Sequence, residues 1–162
     1  MTSEGPDPHP CWNRRIPVDI EDLARSAGVA VSFASAIPEA PSATSVAEVG
    51  PADVGPEGPR VRVVTANTPM GTRFRLAHAF AYHDQGRVEE SAPVYAYPAS
   101  YSASAQGWAR QANERALTLL APSLALRYLL VEQSLQDLRE IADRLDLSEV
   151  AVQQRLRQAG WL

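Results

Sequence analysis

Proline is the residue that most narrows the folds open to this chain. Thirteen of its 162 residues are proline, and they cluster rather than scatter. A proline fixes φ and removes a backbone donor, so neither a helix interior nor a central strand tolerates one well. Pro38, Pro41, Pro51, Pro56 and Pro59 fall in a stretch from 34 to 59 that is also rich in Gly, Ala and Ser. That composition predicts a long flexible loop with a brief extended piece near Val46–Val49. Pro6, Pro8 and Pro10 mark a polar opening, and residues 1–15 read as a disordered N-terminal tail. What lies between must be ordered parts of modest length joined by linkers.

Those parts can be placed by period. After Pro17, Val18, Ile20, Leu23, Ala24 and Ala27 recur at helical spacing, with Asp19, Glu21 and Asp22 in the first turn and Gly28 as the stop. Val29–Phe33 and Arg60–Thr65 alternate as short strands. Asn67–Gly71 reads as a turn, followed by a helix from about Thr72 to Gly86 with Phe74, Leu76, Ala77, Phe80 and Ala81 as its apolar residues. Residues 91–104 predict a loop with one extended stretch at Val94–Tyr97. A strong helix runs from about Ala105 to Leu120 and stops at Pro122. Ser123 is placed to cap the next helix. Residues 134–162 then form a helix-turn-helix-like pair, with Ser134 and Ser148 at its caps. Trp108 and Trp161 are expected to be core anchors.

Bulk properties bound the function. At 45% hydrophobic and 21% charged, the composition supports a packed core. The formal charge of −4 argues against bulk phosphate binding. Cys11 is the lone cysteine, which excludes an internal disulfide or a cysteine-based zinc cage. No apolar run approaches the ~18 residues that span a bilayer, and the N-terminus has no secretory pattern. No membrane association and a cytoplasmic location are the expectations.

The informative segment is Arg73-Phe74-Arg75-Leu76-Ala77-His78-Ala79-Phe80-Ala81-Tyr82-His83. It resembles the active helix of the ImmA/IrrE metallopeptidases, which reads roughly R-F-T-L-A-H-E-x-x-H. Ala109-Arg110-Gln111-Ala112-Asn113-Glu114-Arg115-Ala116, followed by Leu119-Leu120-Ala121-Pro122, is similar to the family's later E-x-x-A-N-x-F-A and L-L-M-P. Ile16–Ala24 and Ile141–Ser148 with Arg155-Leu156 are similar to its opening helix and its closing helical region. The resemblance implies an α+β, zincin-like minimal peptidase fold over 16–122 with a small β-sheet, followed by C-terminal helix-turn-helix-like helices over 123–162.

The same resemblance implies a lost active site. A zincin binds zinc through two histidines four apart, with the glutamate after the first as general base and a further ligand from a later helix. Here His78 keeps the first ligand position. The base position is Ala79, the second ligand is Tyr82, and the later ligand aligns with Ala109. His83 is about 140° around the helix from His78 at roughly 3.6 residues per turn, Asp84 is worse placed, and Glu114 is more than one turn past Ala109. No cofactor is therefore expected, zinc included. His78 reads as a hydrogen-bonded, partly buried side chain, with Tyr82 filling the vacated space through a hydrogen-bonded hydroxyl and Asn113 bonding to a neighbouring element. Cys11 reads as inert.

The expected function is a catalytically inactive regulatory protein that uses the family's groove, with His78, Tyr82 and Asn113 as groove candidates. The family cleaves helix-turn-helix repressors of phage, mobile-element or stress-response genes, so the implied partner is such a repressor. A second reading is a DNA-binding regulator using Gln153, Gln154 and Arg157, which can meet base edges. Against it, Asp137, Glu140, Asp143, Asp146 and Glu149 offset the local arginines. A third is an active zinc peptidase with a rearranged site.

Overall fold

Asp19 starts the first helix, α1 (Ile20–Ser26), because its carboxylate accepts the backbone N–H of Asp22 at 3.0 Å. Gly28, with φ of 87°, turns the chain out of it into β1 (Ala30–Ala34). In this computed structural model, residues 8–37, 47–50, 58–86, 88, 94–96 and 107–162 are described, apart from the side chains of 94–96 and 107–109. The remaining strands are β2 (Ala47–Gly50), β3 (Arg60–Val64) and β4 (Val94–Ala96).

The sheet runs β1-β3-β2-β4, with β1 and β3 parallel and the other pairs antiparallel. Val61 and Val63 of β3 stand opposite Val49 and Ala47 of β2, and all four are buried. Their alternation puts one face of the sheet against the helices. On the other face Glu48 is held by Arg62 at 2.8 Å and Arg60 at 3.7 Å. The extended piece expected at Val46–Val49 is thus a central strand.

Thr68 caps α2 (Pro69–Asp84), its Oγ1 accepting from Gly71 N at 3.1 Å, with Pro69 in the first turn. This Thr-Pro pair begins the helix three residues before the Thr72 expected from apolar period alone. Then come α3 (Gly107–Leu120) and α4 (Ser123–Arg127), the latter running into a π-helical turn (Tyr128–Glu132). Finally α5 (Leu138–Leu145) and α6 (Glu149–Gln158) pack against each other across a tight turn in which Asp146 is left-handed, with φ of 52°.

Two expected caps are different. Ser123 makes no side-chain cap; its Oγ accepts from Arg155 Nη2 at 3.0 Å instead. Asp137, not Ser134, caps α5. Ser148 does cap α6, accepting from Ala151 N at 3.2 Å.

One hydrophobic core runs through the described residues, from Leu23 and Val61 through Leu76 and Phe80 to Leu126, Ile141, Val152 and Leu156. It is continuous across residue 122, where a boundary between two regions was expected. It also takes in Trp12, so residues 8–15 are not a loose tail. His9 Nε2 donates to Asp84 Oδ1 at 3.0 Å, and Trp12 Nε1 donates to the Arg15 carbonyl at 3.1 Å, tying this segment down. Residues 1–7, and most of the expected 34–59 loop, lie outside the described residues. No helix among the described residues is long and apolar enough to cross a membrane.

Candidate functional site

The positions singled out by sequence sit on α2, and α2 is buried on nearly every side. Phe74, Leu76, Ala77, His78, Ala79, Phe80, Ala81 and Tyr82 are all buried in succession. A helix that is apolar all round belongs in the middle of a fold. The sheet, α1 and α3 each pack against it.

His78 is 1% exposed, and its Nδ1 lies 2.7 Å from Asn113 Oδ1 on α3. An amide oxygen only accepts, so His78 Nδ1 carries the hydrogen and donates. Its Nε2 then presents a lone pair to the interior, and that buried atom has no hydrogen-bond partner among the described residues. The Tyr82 ring stands edge-on to the imidazole at 5.4 Å and 64°. Burial lowers the His78 pKa to about 4, with the Asn113 hydrogen bond opposing the shift. The imidazole is therefore neutral at pH 7. Burial raises the pKa of Tyr82, whose hydroxyl, expected to be hydrogen-bonded, finds no such partner among the described residues.

Fixing Nδ1–H and leaving Nε2 bare is the tautomer that a metal-binding histidine needs. The surrounding donors do not complete such a site. Ala79 is a fully buried methyl group, and Tyr82 is a neutral phenol. The Ala109 side chain lies outside the described residues. His83 is turned to the sheet, where its Nε2 donates to the Arg60 carbonyl at 3.2 Å. Asp84 is clamped by His9 and by Arg115 Nε at 2.5 Å, and Glu114 accepts from Arg110 at 3.1 Å. Among the described residues no three His, Cys, Asp or Glu side chains converge. One nitrogen donor does not fit a resident zinc ion, which takes three or four protein ligands.

The groove expectation is corrected by burial. His78, Tyr82 and Asn113 do come together, but all three are buried, so they form a core cluster and not the wall of an open cleft. An opening of about 740 Å³ lies along Pro69, Thr72, Arg73 and Leu76 of α2, with Ile16, Ile20 and the 42% exposed Phe33 across it. Leu76 and His78 are two residues apart, roughly 200° around a helix, so this cavity and His78 occupy opposite faces. Arg73 is held in its lining by backbone carbonyls. Its Nη1 donates to the Leu145 and Asp146 carbonyls at 3.2 and 2.6 Å, and its Nη2 donates to the Val18 carbonyl at 2.7 Å.

Among the DNA candidates on α6, Arg157 is exposed, while Gln153 and Gln154 are half-buried. Sequence reasoning missed the residue that fixes this helix. Arg155 is 0% exposed, and its Nε donates to the Ala121 carbonyl at 2.9 Å. The signal was present: Arg155 shares the apolar stripe of Ala151, Val152 and Leu156. Trp161, expected in the core, is 45% exposed, and Trp108 is outside the described side chains. Cys11 is half-buried and donates its backbone N–H to His9 Nδ1 at 3.1 Å. No protein-family model and no curated protein matches the chain.

Proposed function

We propose that this chain is a catalytically inactive relative of the ImmA/IrrE zinc peptidases and acts as a regulatory protein-binding module, with a helix-turn-helix repressor as its partner. In this reading residues 16–122 have a zincin-like architecture, α5 and α6 are its helix-turn-helix-like closure, and the protein works in the cytoplasm without a metal cofactor. The observation that carries it is the state of His78. Its tautomer is held by Asn113 as for a ligand, yet methyl and phenol groups stand where a base and a second ligand would be. Hydrolysis of this type needs a cation to polarise the carbonyl and a base to deprotonate water. Neither Ala79 nor Tyr82 supplies these. Repressor recognition would then leave the bound protein uncut.

The test is incubation of the purified chain with candidate helix-turn-helix repressors. A stable complex with an intact repressor, unchanged by a chelator, is the expected outcome. Chelator-sensitive cleavage would overturn the proposal in favour of a rearranged zinc peptidase. A DNA-binding role has one observation in its favour, the exposed Arg157 on a capped helix after a tight turn. It predicts salt-dependent binding to duplex DNA that weakens in Arg157→Ala.

A further inference from the structure

The face of α4 and the π-helical turn has no counterpart in the proposal above. Leu124, Tyr128 and Val131 are all exposed, Val131 by 54%, at spacings of four and three residues. Leu124 and Tyr128 form one wall of a concave groove of about 470 Å³, with Ala125 among its lining and Trp12 and Ile16 on the opposite wall. Leu124 and Tyr128, one helical turn apart beside the small Ala125, offer an apolar seam to a second helix, whereas Val131 lies within the π-helical turn and outside the groove lining.

The charges around the groove are unbalanced. Arg14 and Arg144 line it, and Arg127 is exposed on the same helical run. None of these three arginines is engaged by a carboxylate among the described residues. Glu132 is the one carboxylate in the lining. Arg14 has a φ of 68°, a conformation that residues with a Cβ usually avoid, and its guanidinium lies 5.9 Å from the centre of the Trp12 ring. In a chain of net charge −4, this is a local cationic rim around an apolar trough.

We infer that this groove docks an acidic amphipathic helix of a partner protein. The partner's apolar stripe lies along Leu124 and Tyr128, and its flanking carboxylates meet Arg14 and Arg144. A flat anionic bilayer shares the charge preference but does not fill a concave groove. The surface is distinct from the buried His78 cluster, so either proposal stands if the other fails.

The test uses the full chain and a fluorescent synthetic helix with leucine at its seam positions and glutamate on both flanks. A version with lysine flanks, and vesicles of phosphatidylcholine with phosphatidylserine, serve as comparisons. The glutamate helix binds saturably and roughly tenfold more tightly than the lysine helix. Arg144→Glu and Leu124→Asp, both at exposed positions, each weaken it severalfold, and Arg144→Glu improves binding of the lysine helix. Arg14→Glu behaves likewise if it folds; the other two variants decide the matter if it does not. Equal affinity for the two helices, indifference to the variants, or binding to vesicles alone overturns the inference.

Discussion

Two polar side chains are buried in the same core, and they are treated in opposite ways. Arg155 is 0% exposed, and its guanidinium donates to the Ala121 carbonyl and to Ser123 Oγ. It joins α6 to the end of α3 and the start of α4, so the fold itself accounts for it. Among the described residues His78, 1% exposed, makes one side-chain hydrogen bond and leaves Nε2 with no partner. A buried polar atom without a partner costs about 1–3 kcal/mol. Packing gives no reason to prefer an imidazole there over leucine. The comparison separates a polar group that builds the architecture from one whose chemistry the architecture does not use. The second pattern supports the reading of α2 as a ligand helix whose other ligands have been replaced.

The comparison breaks first at Arg155. Arg155→Met removes the hydrogen bonds from the guanidinium to the Ala121 carbonyl and to Ser123 Oγ, at about 1.5–3 kcal/mol each, so a loss of about 3–5 kcal/mol is expected in urea unfolding at pH 7. A loss below ~1 kcal/mol would remove its role as anchor.

Acid titration sharpens the His78 side. The folded pKa of about 4 lies below the unfolded value of 6.5, so the unfolded chain takes up the proton first as pH falls. The contribution of neutral His78 is complete above pH 6.5 and is lost progressively towards pH 4. The difference, 6.5 − 4, corresponds to about 3 kcal/mol. Burial also lowers the pKa of His83 and adds to the loss in the same direction. Unfolding free energy followed across this window should therefore fall steeply. A flat profile would mean that His78 protonates readily and is not sealed in the core.

The smallest effect is expected where both members of the pair are removed. His78→Leu with Asn113→Leu deletes donor and acceptor together, which for apolar replacements of similar shape is close to neutral. Stability at pH 7 should change by less than about 1 kcal/mol, and most of the acid slope should vanish. A loss as large as that of Arg155→Met would make His78 an architectural residue after all.

Local signals in the sequence were legible and nonlocal ones were not. Ser148 caps its helix as expected, and Asp19, expected in the first turn, caps the helix it precedes, because a cap is decided within four residues. Ser123 and Ser134 looked equally suitable, but Arg155, thirty-two residues away, takes the first, and Asp137 competes successfully with the second. The extended piece near Val46–Val49 was expected only as a brief interruption of a flexible loop. Its place between β3 and β4 depends on pairing that no local pattern encodes. Trp12 was hidden by prolines that predict a loose tail, although a bulky indole is the residue most able to hold such a segment on a core. The meeting of His78 with Asn113 spans thirty-five residues; each was expected to be hydrogen-bonded, but nothing local paired them with one another. Its burial, and the opening of the cavity on the other face of α2, follow from how the sheet and α3 enclose that helix.

The central claim turns on one nitrogen, His78 Nε2, and nitrogen-detected NMR of the imidazole rings reads it directly. The account predicts a neutral ring protonated on Nδ1, with the Nε2 resonance unchanged when an equivalent of zinc is added. A zinc-induced shift at that nitrogen, reversed by a chelator, would contradict it.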